Sequence, residues 1–188
     1  QIVREALALG AEAIFFLDDE QLFGPDVLIR LLTRPEDIVI GLTLLRYTQD
    51  GSFYPIWSQK HLVPFSEISG KWAWESVPAI TRGPNGLMPL VSGTAGGVLI
   101  QGHVLKAMKA PYWQMGQYDP EMFWEDIHFY EAAIARGFKV WGHPDVRVGH
   151  CDSVVLWPNE RPDGTWSTVG AHGCKGFLEQ PWAVPELV

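Results

Sequence analysis

Asp18, Asp19 and Glu20 stand in a row directly behind the apolar run AEAIFFL, residues 11–17. Like charges repel at this spacing, and burying them without partners is far more costly. The triplet therefore either ends a strand and faces water, or it encloses something positive. Two more groups of this kind come late in the chain. Glu125 and Asp126 adjoin Trp124 in WEDIHFYEAAIARGF, and His150 closes the run VRVGH. Carboxylate oxygens with an imidazole nitrogen suit a divalent cation of the Mg²⁺ or Mn²⁺ type. A carboxylate held on a helix suits proton abstraction. Each group also has a plain alternative: a solvated strand-end turn, two acids favourably placed in a first helical turn, and a histidine hydrogen-bonded inside the fold.

Such residues need elements to hold them. QIVREALALG reads as a helix with Ile2, Ala6 and Leu9 on one face, stopped by Gly10. AEAIFFL has strand length. Pro25 opens the helical PDVLIRLLT, which Arg34-Pro35 ends, and DIVIGLTLLRY (37–47) reads as a second core strand. Helix, strand, helix, strand predicts an α/β domain with a largely parallel sheet. Ligands of such sheets gather beyond the carboxyl ends of the strands, and the acidic triplet lies at that edge.

Residues 48–92, broken by Pro and Gly, read as a loop or hairpin region. Arg82 in this region is placed either to meet an anionic donor group or to sit in a surface turn. Gly96 and Gly97 in SGTAGGVLI permit close backbone approach to another strand or to a ligand. HVLKAMK (103–109) predicts a short helix. Phe123, Ile127, Tyr130 and Ile134 follow helical spacing up to a stop at Arg136-Gly137, and FKVWG and DVRVGH read as two extended pieces. Residues 151–188 show no period and are expected to form an irregular Trp/Pro/Gly-rich tail, a lid or a partner surface beyond a domain spanning 1–150.

Charge removes one class of partner. Fourteen Lys and Arg oppose 22 Asp and Glu among 188 residues, a formal charge of -8, and no basic run exists to neutralise a nucleic-acid backbone. At 47% hydrophobic and 19% charged, the composition is globular. Cys151 and Cys174, with no CxxC pattern, favour a reducing compartment, the cytoplasm. The apolar runs fall short of the roughly 18 residues of a membrane span.

Taken in order, LDDE after a strand, EDIHF on a helix and GH after the next strand resemble a GT-A-type, family-2-like nucleotide-sugar glycosyltransferase. FFLDDEQLFGPDVLIRLL resembles the Asp-x-Asp region and following helix of that family. SGTAGGVLI resembles its acceptor-side strand, and WEDIHFYEAAIARGFKVWGHPDVRVGH its Glu-Asp helix and closing histidine. The resemblance spans most of residues 1–150. It implies a GT-A-like, Rossmann-related, mostly parallel sheet with flanking helices. The sheet would be incomplete at its amino end, because the family's first βαβ region would precede Gln1, supplied by a longer chain or a partner.

The same resemblance implies roles for single residues. Asp18 would lie near the donor ribose or a metal-bound water, with Asp19 beside the donor. Glu20 and His150 would contact Mn²⁺ or Mg²⁺. Asp126 would be the general base of an inverting transfer, Glu125 would orient the acceptor, and Trp124, Gly96 and Gly97 would line the acceptor side. Glu20 stands where the family has aspartate and reaches one methylene further. The implied partners are a nucleotide-sugar donor and a saccharide or other hydroxyl acceptor. Phosphoryl or nucleotidyl transfer also uses paired acids after a strand but gives no task to EDIHF or GH, and a non-catalytic carbohydrate-binding or assembly module is the reading outside enzymes.

Overall fold

The structure is a computed structural model that describes residues 1–44, 57–61, 74–76, 80–113, 116–118, 121–123, 125–151, 155–171 and 177–181. The chain starts with α1 (Ile2–Ala8), β1 (Ala13–Phe16), β2 (Gln21–Phe23), α2 (Val27–Leu32) and β3 (Ile38–Leu42). Short strands β4 (Trp57–His61), β5 (Trp74–Ser76), β6 (Met88–Leu90) and β7 (Ser92–Gly93) lead to β8 (Val98–Gln101) and α3 (Gly102–Ala107). The small hairpin β9 (Gly116–Tyr118) and β10 (Glu121–Phe123) precedes α4 (Glu125–Ile134). The chain closes with β11 (Val140–Cys151), β12 (Val155–Glu160), β13 (Trp166–Ala171) and β14 (Phe177–Pro181).

Alternation along the central strands decides which helices cover which face. Ile38, Ile40 and Leu42 of β3, with Val98 and Ile100 of β8, join Val104, Leu105, Phe129, Tyr130 and Ala133 in one buried cluster fed by α3 and α4. Val39 and Leu99 point the other way, into a second cluster with Val27 and Leu31 of α2. All five residues of β3 are buried. Each large aliphatic side chain so placed contributes roughly 1.5–3 kcal/mol. Trp113 belongs to this packing, stacked on Phe129 with ring centres 4.8 Å apart and tilted against Phe16 at 4.6 Å.

The expected parallel sheet needs correcting. The domain is α/β with helices on both faces, but among the described residues the main nine-stranded sheet is mixed and mostly antiparallel, its core running β1-β8-β3-β11-β12-β13-β14. β1 and β3 do point the same way, as their helical crossover requires. SGTAGGVLI, however, inserts β8 between them, antiparallel to both (Phe16↔Val98, Ile40↔Val98). Among the described residues only β3 and β11 pair in parallel within this sheet.

FKVWG and DVRVGH are a single strand, β11, with a register shift between His143 and Arg147. Pro144 lies inside that shift, where a residue without an N–H interrupts no regular ladder bond. The tail expected to be irregular forms the antiparallel run β12-β13-β14, joined to β11 through His150↔Leu156. Among the described residues no helix is long and apolar enough to cross a membrane.

Candidate functional site

β1 ends at Phe16, and the turn that follows carries Asp18, Asp19 and Glu20 before the chain re-enters as β2. The turn is closed by the Gln21 amide donating to the Asp18 carbonyl at 3.2 Å. β2 then runs antiparallel to β11, with Phe23 opposite Val148, Leu22 opposite Gly149 and Gln21 opposite His150. One step further, the Cys151 amide donates to the Glu20 carbonyl at 2.7 Å. The acidic turn is thereby fastened against the histidine that closes VRVGH.

His150 is held in one tautomer. Its Nδ1 lies 2.7 Å from the Leu44 carbonyl, an oxygen that only accepts, so Nδ1 carries a proton and, in the neutral ring, Nε2 holds the lone pair. Metal-bound histidines are commonly oriented by this kind of bond to a backbone carbonyl.

Gly96 and Gly97 pass directly beneath this corner. Gly97 has φ 70, donates its amide to Phe16 at 2.8 Å and accepts from the Gly41 amide at 2.9 Å, which stitches β1 to β3. Gly96 is buried, and a Cβ there would overlap the Asp18 carboxylate and fall 2.5 Å from Gln21 Oε1. The two glycines, expected on the acceptor side, thus make room for the Asp18 side chain and for backbone crossing.

The helix bearing Glu125 and Asp126 reaches the same edge. Tyr130, fully buried one turn further along α4, donates its hydroxyl to the Thr94 carbonyl at 2.6 Å and so anchors α4 over the β7–β8 turn. Asp126 Oδ1 accepts the Ile127 amide at 2.7 Å. Burial pushes the Asp126 carboxyl up to about 6, opposed by the Ile127 amide and assisted by the charges of Glu125 and Asp18. Asp18 is exposed on one side, yet the protein around its carboxylate, then Glu20 and Asp19, raises its proton affinity. His150 works against that rise and Glu125 adds to it. Burial, and then Asp126 and Asp18, push the Tyr130 hydroxyl further up. Residues more than 100 positions apart therefore share one electrostatic environment.

Asp19, Glu20, Glu125 and His150 lie within electrostatic reach of Asp18, and Asp126 within reach of Glu125 and Asp18. Arg82 does not join them. Its guanidinium lies 2.7 and 2.9 Å from the Glu160 carboxylate and 2.9 Å from Asp145, over the Trp166 ring. Its sequence role at an anionic donor group gives way to an ion-pair network further back along β11. Trp124 lies outside the described residues. Gln21, which sequence reasoning passed over, is buried beside Asp18 at 8% exposure. No sequence signal marks it, because its place depends on the β2–β11 register.

Among the described residues no three His, Cys, Asp or Glu side chains converge as a ready metal cage. The residues nonetheless fit a hard divalent cation. The corner offers carboxylate oxygens, an imidazole whose Nδ1 is engaged by Leu44 so that Nε2 is the remaining ring nitrogen, and a buried acceptor, Gln21 Oε1, that no described donor satisfies. Mg²⁺ is usually held by one or two carboxylates plus substrate phosphates and water, without a dedicated protein cage.

No protein-family model and no curated protein matches the sequence. The chain is similar to a solved structure described as the crystal structure of A197 from STIV, at 15% identity and a TM-score of 0.53, over 87% of this chain and 70% of that one. At this identity the likeness concerns the fold alone.

Proposed function

We propose that this chain carries the catalytic edge of a metal-dependent glycosyltransferase that moves a sugar from a nucleotide-sugar donor to a hydroxyl acceptor with inversion. The observation that carries this reading is a carboxyl raised to about 6, Asp126, standing at the same sheet edge as the acidic turn and His150. A general base is most effective when its proton affinity approaches the working pH. An ordinary aspartate near 4 would be a poorer base.

In the transfer, the acceptor oxygen bonds to the anomeric carbon as the bond from that carbon to the donor phosphate oxygen breaks. Asp126 takes the acceptor's hydroxyl proton. The electron pair leaves with the nucleoside diphosphate. Asp18, Glu20 and His150 would hold Mn²⁺ or Mg²⁺, and the bound ion supplies positive charge to the departing diphosphate. The Leu44 carbonyl keeps His150 in the tautomer that presents Nε2. Tyr130 and Thr94 keep α4, and with it Asp126, in register with the acidic turn, so that orientation is set before substrate arrives. Glu125, exposed in the first turn of α4, is free to orient acceptor hydroxyls.

The direct test is release of nucleoside diphosphate from a panel of nucleoside-diphosphate sugars, with Mn²⁺ and with EDTA. Metal-dependent release that depends on Asp126 supports the reading. Release that is indifferent to EDTA, or absent from every donor while Mn²⁺ fails to bind, removes it.

A further inference from the structure

We propose that the side-chain carbonyl of Gln21 is a cation ligand, completing with Asp18 and His150 a mixed oxygen and nitrogen site for a divalent ion. This rests on the metal-dependent reading above and adds to it a residue outside the acidic triplet.

Three observations converge on Gln21. First, the side chain is 8% exposed and its Oε1 is fully buried without a hydrogen-bond partner among the described residues. A buried acceptor left unsatisfied costs about 1–3 kcal/mol, so such an atom in a folded protein calls for an explanation. Second, strand register sets Gln21 directly opposite His150. Cross-strand partners project from the same face of the sheet as immediate neighbours. Third, the missing side chain of Gly96 leaves a hollow into which both Gln21 Oε1 and the Asp18 carboxylate project. Gln21 thus shares the Gly96 hollow with the Asp18 carboxylate and is the cross-strand partner of His150.

Two acceptor oxygens crowding one point repel unless a proton, a rotated carboxamide N–H or a cation lies between them. A carboxylate, a carboxamide oxygen and an imidazole nitrogen are together a plausible shell for Mn²⁺, which takes oxygen ligands and tolerates imidazole. The carboxamide adds a ligand without adding charge to a corner already rich in carboxylates. Glutamine at this position therefore strengthens coordination while limiting the repulsion that a sixth acid would bring.

The test is Mn²⁺ binding to the intact chain, followed by electron paramagnetic resonance titration, alone and with UDP, for the native protein and for Gln21→Met, Gln21→Glu and Asp18→Asn. Circular dichroism checks that each variant folds. Gln21→Met keeps the length and removes the oxygen; affinity is expected to fall about 10-fold or more, the range seen when groups supporting a metal site are lost. Gln21→Glu keeps an oxygen in place and adds charge, so it is expected to bind Mn²⁺ at least as tightly as the native chain. If Gln21→Met binds like the native protein while Asp18→Asn binds weakly, the cation site stands and Gln21 is not part of it. If Gln21→Glu loses affinity, the amide nitrogen faces Asp18 and Gln21 acts as a hydrogen-bond donor, which overturns the assignment. If the native chain binds no Mn²⁺ with or without UDP, the ligand assignment and the metal-dependent reading fall together.

Discussion

Two charged regions hang from the same strand, β11, and they solve opposite problems. Around Asp145 and Arg147 the charges are matched. Arg82 bridges Asp145 and Glu160, Arg147 lies 3.5 Å from Glu160, and both guanidinium groups sit over the Trp166 ring. Burial works against ionisation of Asp145, but the Arg82 hydrogen bond and charge outweigh it and its proton affinity falls. Glu160 likewise holds the Arg82 guanidinium more firmly protonated. A few residues on, at His150, the balance is reversed. Burial first, and then three acids (Glu20, Asp19 and Glu125) against the one imidazole of His150, raise the proton affinity of Asp18. Matched charge stabilises a fold and asks for nothing more. An excess of acids held in place by backbone geometry is the feature on which the proposed cation site rests.

The comparison breaks most visibly at Asp126. Asp126→Asn keeps an oxygen to accept the Ile127 amide but cannot take a proton. Turnover should fall by about 10²–10⁴-fold, the usual contribution of a general base, with Mn²⁺ affinity little changed. Equal turnover in steady-state assays would return Asp126 to a structural role.

Gly96→Ala probes the crowded corner by geometry alone. Its Cβ meets the ends of two side chains, the exposed Asp18, which can swing into solvent, and the buried Gln21, which must repack. Stability by chemical denaturation should fall by about 1–3 kcal/mol. Mn²⁺ affinity should fall about 10-fold, because the two side chains that share the Gly96 hollow are displaced.

pH separates the two kinds of buried group. Asp126, raised from 3.8 to about 6 mainly by burial, binds protons more readily folded than unfolded, so its contribution is fully present below pH 4 and is lost as pH rises through about 6. Asp126→Asn should therefore gain on the order of 2 kcal/mol at pH 8 and almost nothing at pH 3.5, measured as denaturation midpoints. His143 has the opposite sign. Burial, then the Arg34 charge, lowers it to about 4, and Arg34 Nη2 lies 3.2 Å from its Nε2. Its contribution is complete above pH 6.5 and is lost as pH falls towards 4, so His143→Gln should flatten the acid limb of the stability profile.

The smallest effect belongs to the matched region. Arg82→Ala removes partly exposed ion pairs and should cost at most about 1 kcal/mol, less at high salt. Turnover and Mn²⁺ affinity should not move. A clear loss of donor affinity would instead bring Arg82 back to the site.

The legibility of the chain divides along the same line. The strand within residues 11–17, the carboxylates behind it, the α4 stop at Gly137 (φ 87) and the paired small residues at Gly96 are all legible, because each is encoded by neighbours within a few positions. The sheet was read as parallel since helices separate β1 from β3, and local periodicity carries no record of a third strand returning between them. Residues 155–171 and 177–181 lacked alternation because Trp, Pro and Gly occupy their strands, yet backbone pairing with β11 and among themselves still forms a ladder.

By itself, then, the sequence determined which chemistry is present: acids at a strand edge, an acid pair opening a helix and a histidine closing a strand. Tertiary structure decided what stands next to what. It set Gln21 opposite His150, Asp18 against Gly96, Asp126 within electrostatic reach of Asp18, and Arg82 away from all of them. The reason is physical. Residue type and local propensity act over one turn or one pleat, whereas register and burial are settled by pairings between segments far apart in the chain.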